Sequence, residues 1–261
     1  MDGLQFYRLS KLQELQLFSC ADMPARQPPQ VGHLHLWAVD LDHTHHTAIE
    51  KNYYQWLSAR EQLRLNRYHS GVVHNRHAAI MLALRAILSH YLDCPLNAFD
   101  YQYGSHGKPA VAGYFGKVGV SFNSTDSRNL ALIAVTAGAE LGVDLEYLDR
   151  RLHSMHLLKR ICGAMEGTQL QQGTSTSKRL LQCWTRKEAW GKALGVGIRY
   201  PLPSIPICLG LSWPNCRIYS SCGVWQLLTL QPEQPWLASV VVAGVINHIQ
   251  YRLWHMSQAG I

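Results

Sequence analysis

The six residues Leu141-Gly142-Val143-Asp144-Leu145-Glu146 alternate between large apolar side chains and small or acidic ones, the period of two that marks a half-buried β-strand. Leu141, Val143 and Leu145 then share a core face, and Asp144 and Glu146 stand side by side on the other. Two carboxylates that close repel and raise each other's pKa unless a cation lies between them. The pair is either surface decoration or a site for a hard, oxygen-seeking metal. Spacing by itself favours decoration.

A helix predicted over 178–194, closed by Gly195, carries Cys183-Trp184-Thr185-Arg186-Lys187-Glu188-Ala189-Trp190-Gly191-Lys192. Glu188 and Lys192 fall four apart on one helical face. As a surface ion pair they would contribute only about 0.2–0.5 kcal/mol. The functional alternative has Glu188 joining Asp144 and Glu146 around Mg²⁺, with Lys192 reaching a phosphate oxygen beside them.

Elsewhere the apolar pattern predicts a strand over 34–39, a helix over 47–63 and a stronger helix over 74–92. The last carries the stripe Ala78, Met81, Leu82, Arg85, Ile87 and Leu88, and Asp93 with Pro95 ends it. Strands are expected over 130–136, 141–145, 225–230 and 238–245, the last two in an antiparallel or mixed sheet. A short helix over 9–18 precedes Pro24, Pro28 and Pro29, which make a semi-rigid lead-in. The Gly-rich stretch 101–120 reads as a loop joining two halves, and the polar stretch 169–177 as an exposed mobile loop. One domain and two are both compatible with 261 residues of which 47% are apolar.

Arg60, Arg64, Arg67 and Arg76 gather before and in the first turn of the 74–92 helix. Guanidinium forks and free helix N–H groups suit phosphate, while a solvated basic face explains the same cluster equally well. His43, His45 and His46 follow Asp40 and Asp42, but no distant ligand completes a metal set, so a solvated loop is the better reading. Lys plus Arg exceed Asp plus Glu by 24 to 17, giving +7 and an anionic partner. That excess does not separate nucleic acid, phosphorylated cofactor and acidic protein. No basic and aromatic nucleic-acid motif accompanies it. The seven cysteines are odd in number and form no C-x-x-C pair, as expected for reduced thiols in a cytosol. Neither a signal peptide nor a span of roughly 20 apolar residues is present, so a cytoplasmic chain with no membrane association is expected.

Gly107-Lys108-Pro109, Ser121-Phe122-Asn123, Gly142-Val143-Asp144-Leu145-Glu146, and Trp184-Thr185-Arg186-Lys187-Glu188-Ala189 with Lys192 follow one another in order. Together they closely resemble the motifs of the Sfp-type 4′-phosphopantetheinyl transferases. The resemblance runs from about residue 57 to 201, and the 74–92 helix led by Arg76 matches the family's N-terminal half. It implies an α+β fold of two similar α/β subdomains related by a pseudo-twofold axis, with the active site in the cleft between them. The corresponding division is an N-terminal extension over 1–32, an N-terminal subdomain over 33–113 and a C-terminal subdomain over 114–261. The implied reaction moves the phosphopantetheine arm from coenzyme A to a serine of an apo acyl or peptidyl carrier protein, releasing adenosine 3′,5′-bisphosphate. Asp144, Glu146 and Glu188 look like the Mg²⁺ ligands, with Glu188, Asp144 and Lys192 as the catalytic set. Lys192, Lys108, Arg76, Arg60, Arg64 and Thr125 look like contacts to coenzyme A. The family likeness also suggests a monomer.

One position departs from that pattern. Family members read Phe-Asn-x-Ser-His, whereas this chain reads Phe122-Asn123-Ser124-Thr125-Asp126, with an acid where a phosphate-contacting histidine is expected. A carboxylate beside a diphosphate costs affinity unless it is protonated, turned away or bridged by a cation such as Arg128. The departure keeps open a weakened or silent member that binds coenzyme A or a carrier protein without transfer.

Overall fold

The computed structural model describes residues 5–8, 16–18, 26–42, 53–68, 71–149, 160–171, 176–196, 201–205, 215–221, 223–232 and 235–254. Within them the chain builds two five-stranded sheets. The first holds β1 (Gln5–Arg8), β8 (Leu141–Tyr147), β9 (Asn215–Ser220), β10 (Gly223–Leu230) and β11 (Trp236–Ala243). It is antiparallel throughout, in the order β1-β9-β10-β11-β8. The second holds β2 (Gln16–Phe18), β3 (His33–Asp40), β6 (Val120–Ser127), β7 (Leu130–Ala137) and β12 (His248–Trp254). Its order is β2-β12-β3-β7-β6, parallel at β12 and antiparallel elsewhere. The fold class is α+β as expected, and the C-terminal strands split between an antiparallel and a mixed sheet. The second sheet draws strands from both sides of residue 113.

Strand alternation stacks the layers. On β3, Leu34, Leu36 and Ala38 face the first sheet, while Trp37 and Val39 face a helix, α2 (Val72–Leu92). On β7, Leu130, Leu132 and Ala134 join the core between the sheets, and Ala131, Ile133 and Val135 lie under α2. Both faces of these strands are covered, which is why 130–135 reads as an unbroken apolar run. The first sheet is covered on its outer face by α5 (Thr176–Leu194), whose Cys183, Ala189, Trp190 and Ala193 pack against Leu227, Leu237 and Val241. The order of layers is α2, second sheet, first sheet, α5.

Several local expectations are corrected. Within the proposed 9–18 helix, Gln16–Phe18 is an edge strand, and 9–15 lies outside the described residues. Within the expected 47–63 helix, 47–52 lies outside the described residues, and the rest is a 3₁₀ turn (Tyr53–Trp56) followed by α1 (Ala59–Leu65), because Ser58 starts a new helix as N-cap. The 101–120 stretch is not a loop: it holds the hairpin β4 (Tyr101–Tyr103) and β5 (Pro109–Val111) and one helical turn, α3 (Gly113–Gly116). Residues 169–171 end α4 (Ala164–Gln171) and α5 already begins at Thr176, so the described residues of the polar stretch are helical, while 172–175 lies outside them. His43, His45 and His46 lie outside the described residues. Among the described residues no helix is long and apolar enough to cross a membrane, and Cys94, Cys162, Cys183 and Cys216 are in no disulfide.

Polar groups inside the fold fix its elements. Glu61 closes the capping box of α1, accepting from the Ser58 N–H and hydroxyl at 2.8 Å each, and also holds the buried Arg85 of α2 at 2.5 and 2.9 Å. Arg85 donates both Nη1 protons to the Leu96 and Phe99 carbonyls. Position 85 thus belongs to the buried stripe as a paired cation. On the α2 face of β3, the Trp37 ring N–H donates to the Tyr91 hydroxyl at 3.0 Å, and that hydroxyl lies 2.6 Å from His35 Nδ1. The buried His35 is held neutral. Burial, aided by the charges of Arg252, His33 and His248, holds its pKa down at about 3.

The unfolded chain, with a histidine pKa near 6.5, binds one more proton than the fold between that value and about 3, so stability falls as pH drops through this window. His35→Gln should remove part of that fall. Its urea-unfolding stability should decline less steeply than the parent's below pH 6.5, by up to about 1.4 kcal/mol per pH unit. Parallel declines for the two proteins would exclude this account.

Candidate active site

The acidic face of β8 meets α5 at unusually short range. A Cβ on Gly142 would collide with the Ala189 carbonyl and the Ala193 N–H, and would lie 2.9 Å from the Lys192 carbonyl carbon. Only glycine lets the helix backbone rest on the strand there. Two residues on, Asp144 faces the same helix and is buried. Lys192 reaches it: its ammonium donates to Asp144 Oδ1 at 2.8 Å, to the Val143 carbonyl at 3.0 Å and to Thr125 Oγ1 at 3.1 Å. All three ammonium protons are satisfied in a half-buried setting. The surface ion pair with Glu188 that the four-residue spacing allows is not what the helix does with this lysine.

Glu146 follows on the same face and accepts from the Trp184 indole N–H at 3.0 Å. Glu188 is half-buried, one turn before Lys192. The three carboxylates therefore sit on facing elements. Their chemistry fits a hard cation: Mg²⁺ takes oxygen ligands and usually needs only one or two carboxylates, with phosphate and water completing its shell.

β6 supplies the other wall. β8 and β6 are edge strands of different sheets, and side chains join them. Asn123 Oδ1 accepts the Val143 N–H at 3.0 Å, Ser127 Oγ accepts the Tyr147 N–H at 3.2 Å, and Thr125 between them donates to Asp144 Oδ1 at 3.4 Å. Alternation turns Asp126 to the opposite face. It is exposed there, lining a pocket of about 180 Å³ with Arg64, His77, Tyr101 and Tyr103. Burial lowers the His77 pKa, and the Asp126 charge works against that shift. The acid at 126 thus stands beside an imidazole from α2.

The remaining cations are spread around the β4–β5 hairpin. Arg60 stacks over the Tyr103 ring at 3.8 Å, and Arg60, Arg64 and Arg67 line a recess of about 270 Å³ with Tyr103 and Gly107. Lys108 borders a larger cavity of about 660 Å³, where it is bound to Glu140 at 2.5 Å and to the Ala193 carbonyl at 2.7 Å. Arg76 pairs with Asp42 at 3.2 Å. Among the expected contacts, Lys192 and Thr125 meet Asp144 directly, whereas Lys108, Arg60 and Arg76 have other partners and Arg64 lines the recess.

This arrangement has counterparts in known proteins. Residues 140–241, which span β8, α5 and the strands they rest on, match the 4′-phosphopantetheinyl transferase superfamily. The 4′-phosphopantetheinyl transferase HetI of Nostoc sp. (strain PCC 7120) is 34% identical over 224 residues, 85% of this chain and 92% of that protein. The chain belongs to the 4′-phosphopantetheinyl transferases. A second relative, slr0495 of Synechocystis sp. (strain PCC 6803), named provisionally for the same activity, is 35% identical over 148 residues, 56% of this chain and 60% of that protein.

As a 4′-phosphopantetheinyl transferase, the chain shows which parts of its motifs do structural work. Arg186 is buried and donates to Thr229 Oγ1 at 3.0 Å. Lys187 is fully buried, donating to Glu166 Oε2 at 2.6 Å and to the Ile161 and Leu202 carbonyls at 2.8 Å each. Sequence reasoning assigned no role to Gly142, His77 or Trp184, or to the Asn123 clasp. A lone glycine inside a strand pattern was the available sign for the first. Gly142→Ala should separate α5 from β8, costing about 1–3 kcal/mol of stability and weakening the Lys192–Asp144 bond. Thermal unfolding checks it, and an unchanged Tm would mean that the helix can retreat at no cost.

Proposed function

We propose that this enzyme transfers 4′-phosphopantetheine from coenzyme A to a serine of an acyl or peptidyl carrier protein, with Mg²⁺ held by Asp144, Glu146 and Glu188. The observation that carries the reading is the convergence of Lys192, Asp144 and Thr125 where the two sheets meet. Bound there, the cation would neutralise charge on the diphosphate. The chain's own part is positional. Lys192 presents an ammonium whose donors pass to a phosphate oxygen for a charge-assisted bond, and Thr125 offers a hydroxyl beside it. Glu188 accepts the serine proton, directly or through a water. The serine oxygen then bonds to phosphorus as the P–O bond to adenosine 3′,5′-bisphosphate breaks. The recess of Arg60 and Arg64, with Lys108 and Arg76, supplies the cationic surroundings that a polyanionic substrate requires.

Incubation with a labelled coenzyme A analogue, Mg²⁺ and a panel of apo carrier proteins, read by mass, tests the reading. At least one carrier should gain the arm. Asp144→Ala should abolish the gain while leaving the chain folded by circular dichroism. Coenzyme A binding without transfer to any carrier would favour the silent reading that Asp126 raised.

Asp126 itself is open to a kinetic test. It lies on the face of β6 away from Asp144, in a pocket shared with Arg64 and His77. Removing its negative charge should favour the anionic substrate, so Asp126→His should lower KM for coenzyme A severalfold with kcat little changed. A KM that stays the same or rises would rule this out.

A further inference from the structure

On the far side of α5 from Asp144 lies a second chemical cluster that the transfer reaction does not use. Cys162, in the two non-helical residues before α4, and Cys183, in the middle of α5, bring their sulfur atoms to 3.4 Å. Both are buried, and Glu166 joins them, all three ligand atoms lying within 4.8 Å of one another. Lys187 plugs the cluster, its ammonium on Glu166 Oε2 at 2.6 Å and on the Ile161 carbonyl at 2.8 Å. The Gly163 N–H donates to the same carboxylate oxygen at 2.9 Å.

Two thiols and a carboxylate in contact suggest either a thiophilic metal or a dithiol couple. The metal is the poorer fit. A soft dication wants four ligands in a tetrahedron, and among the described residues three are offered. The Lys187 ammonium is a cation already bound to the carboxylate that the metal would need. The dithiol has what it requires. A bonded sulfur pair lies about 2.05 Å apart, so closing from 3.4 Å asks for little more than 1 Å of movement. Cys162 sits outside regular structure, where the backbone can supply that movement.

We propose that Cys162 and Cys183 form a reversible disulfide that covalently ties the segment before α4 to the helix carrying Trp184, Glu188 and Lys192. The oxidant is a low-molecular-weight disulfide of the glutathione class. Cys162 is the entry point, being 5% exposed where Cys183 is fully buried. Its thiolate attacks the small disulfide, forming a mixed disulfide and releasing one small thiolate. Cys183, losing its proton, then attacks the Cys162 sulfur and expels the second. In sum, one small disulfide and two protein thiols become one protein disulfide and two small thiols. The Cys183 hydrogen bond, with Lys187, holds the Cys162 thiol below its ordinary pKa despite burial, which favours the first step.

The test uses the full chain and glutathione buffers of graded redox ratio, quenched with iodoacetamide and analysed by intact mass and non-reducing peptide mapping. The expected result is the loss of two alkylatable thiols together, a peptide linking Cys162 to Cys183, and restoration by dithiothreitol. The oxidised protein should gain about 5 °C in Tm from the 21-residue separation of the bridged positions. Cys162→Ser should lose both the linked peptide and the gain. Since the mapping is done on the parent chain, a variant that failed to fold would leave the result standing. Links to other cysteines, mixed glutathione adducts without an internal bridge, or no oxidation at millimolar disulfide would overturn the proposal. So would protection of both thiols from alkylation by Zn²⁺ alone, which would reassign the cluster to a metal.

Discussion

Everything at the candidate site depends on how near α5 comes to β8. A helix on a sheet is ordinarily held off by side chains on both, and the long polar groups of one then reach only the surface of the other. Here Gly142 removes the spacer. The helix backbone settles on the strand, and Lys192, whose side chain would otherwise extend past the sheet, folds back onto Asp144, Val143 and Thr125. A lysine and an aspartate so placed pay for their desolvation with three hydrogen bonds at the ammonium. The same contact explains why the small residues Ala189 and Ala193 flank the crossing. Larger side chains would restore the gap.

The motif Trp184-Thr185-Arg186-Lys187-Glu188-Ala189 divides by helical face. Trp184, Glu188 and Lys192 recur at intervals of four and form the stripe that includes the contacts to Glu146 and Asp144. Cys183, Lys187 and Trp190 form another stripe, which is buried. Lys187 directs its ammonium there to three acceptors: Glu166 and the carbonyls of Ile161 and Leu202. Removing one member of such a pair strands the other charge in the interior, so the lysine is as constrained as any residue of the site. Membership in a sequence motif therefore does not distinguish chemistry from scaffolding. The helical face does.

What could be seen in advance followed the strength of the local pattern. The alternation at 141–146 and the runs at 34–39 and 130–136 each became strands within a residue or two, since both of their faces meet well-defined layers. The hairpin of Tyr101–Tyr103 and Pro109–Val111 was hidden because three residues are too few to show a period, and Gly104 and Gly107 gave the stretch the composition of a loop. The polar residues at 169–171 looked like a loop because composition outweighed periodicity, yet Gln and Leu are good helix formers. At the site, Lys192 on Asp144 was not legible as a direct contact. Spacing along α5 offered Glu188 as a neighbour, and only the tertiary approach at Gly142 brings in the strand.

The seam between β6 and β8 shows why such a site can form at the boundary of two sheets. An edge strand presents unpaired N–H groups at every second residue, and these invite pairing with another backbone. On β8 the N–H groups of Val143 and Tyr147 are taken by Asn123 and Ser127 instead. The Ser127 carbonyl also accepts from the Trp236 indole N–H, and Arg128 stacks on Tyr147 at 3.7 Å, so the strands are fastened at both levels without a continuous backbone ladder. A ladder would set the strands about 4.8 Å apart and fill the interval with main chain. Clasps made by side chains leave a strip in which residue 125, between the two clasping positions, points at Asp144. The period of two that made 141–146 legible as a strand also governs β6. Asn123, Thr125 and Ser127 face the acids, and Asp126 necessarily faces His77 and Arg64. The acid at 126 and the carboxylates of β8 thus stand on opposite sides of one strand.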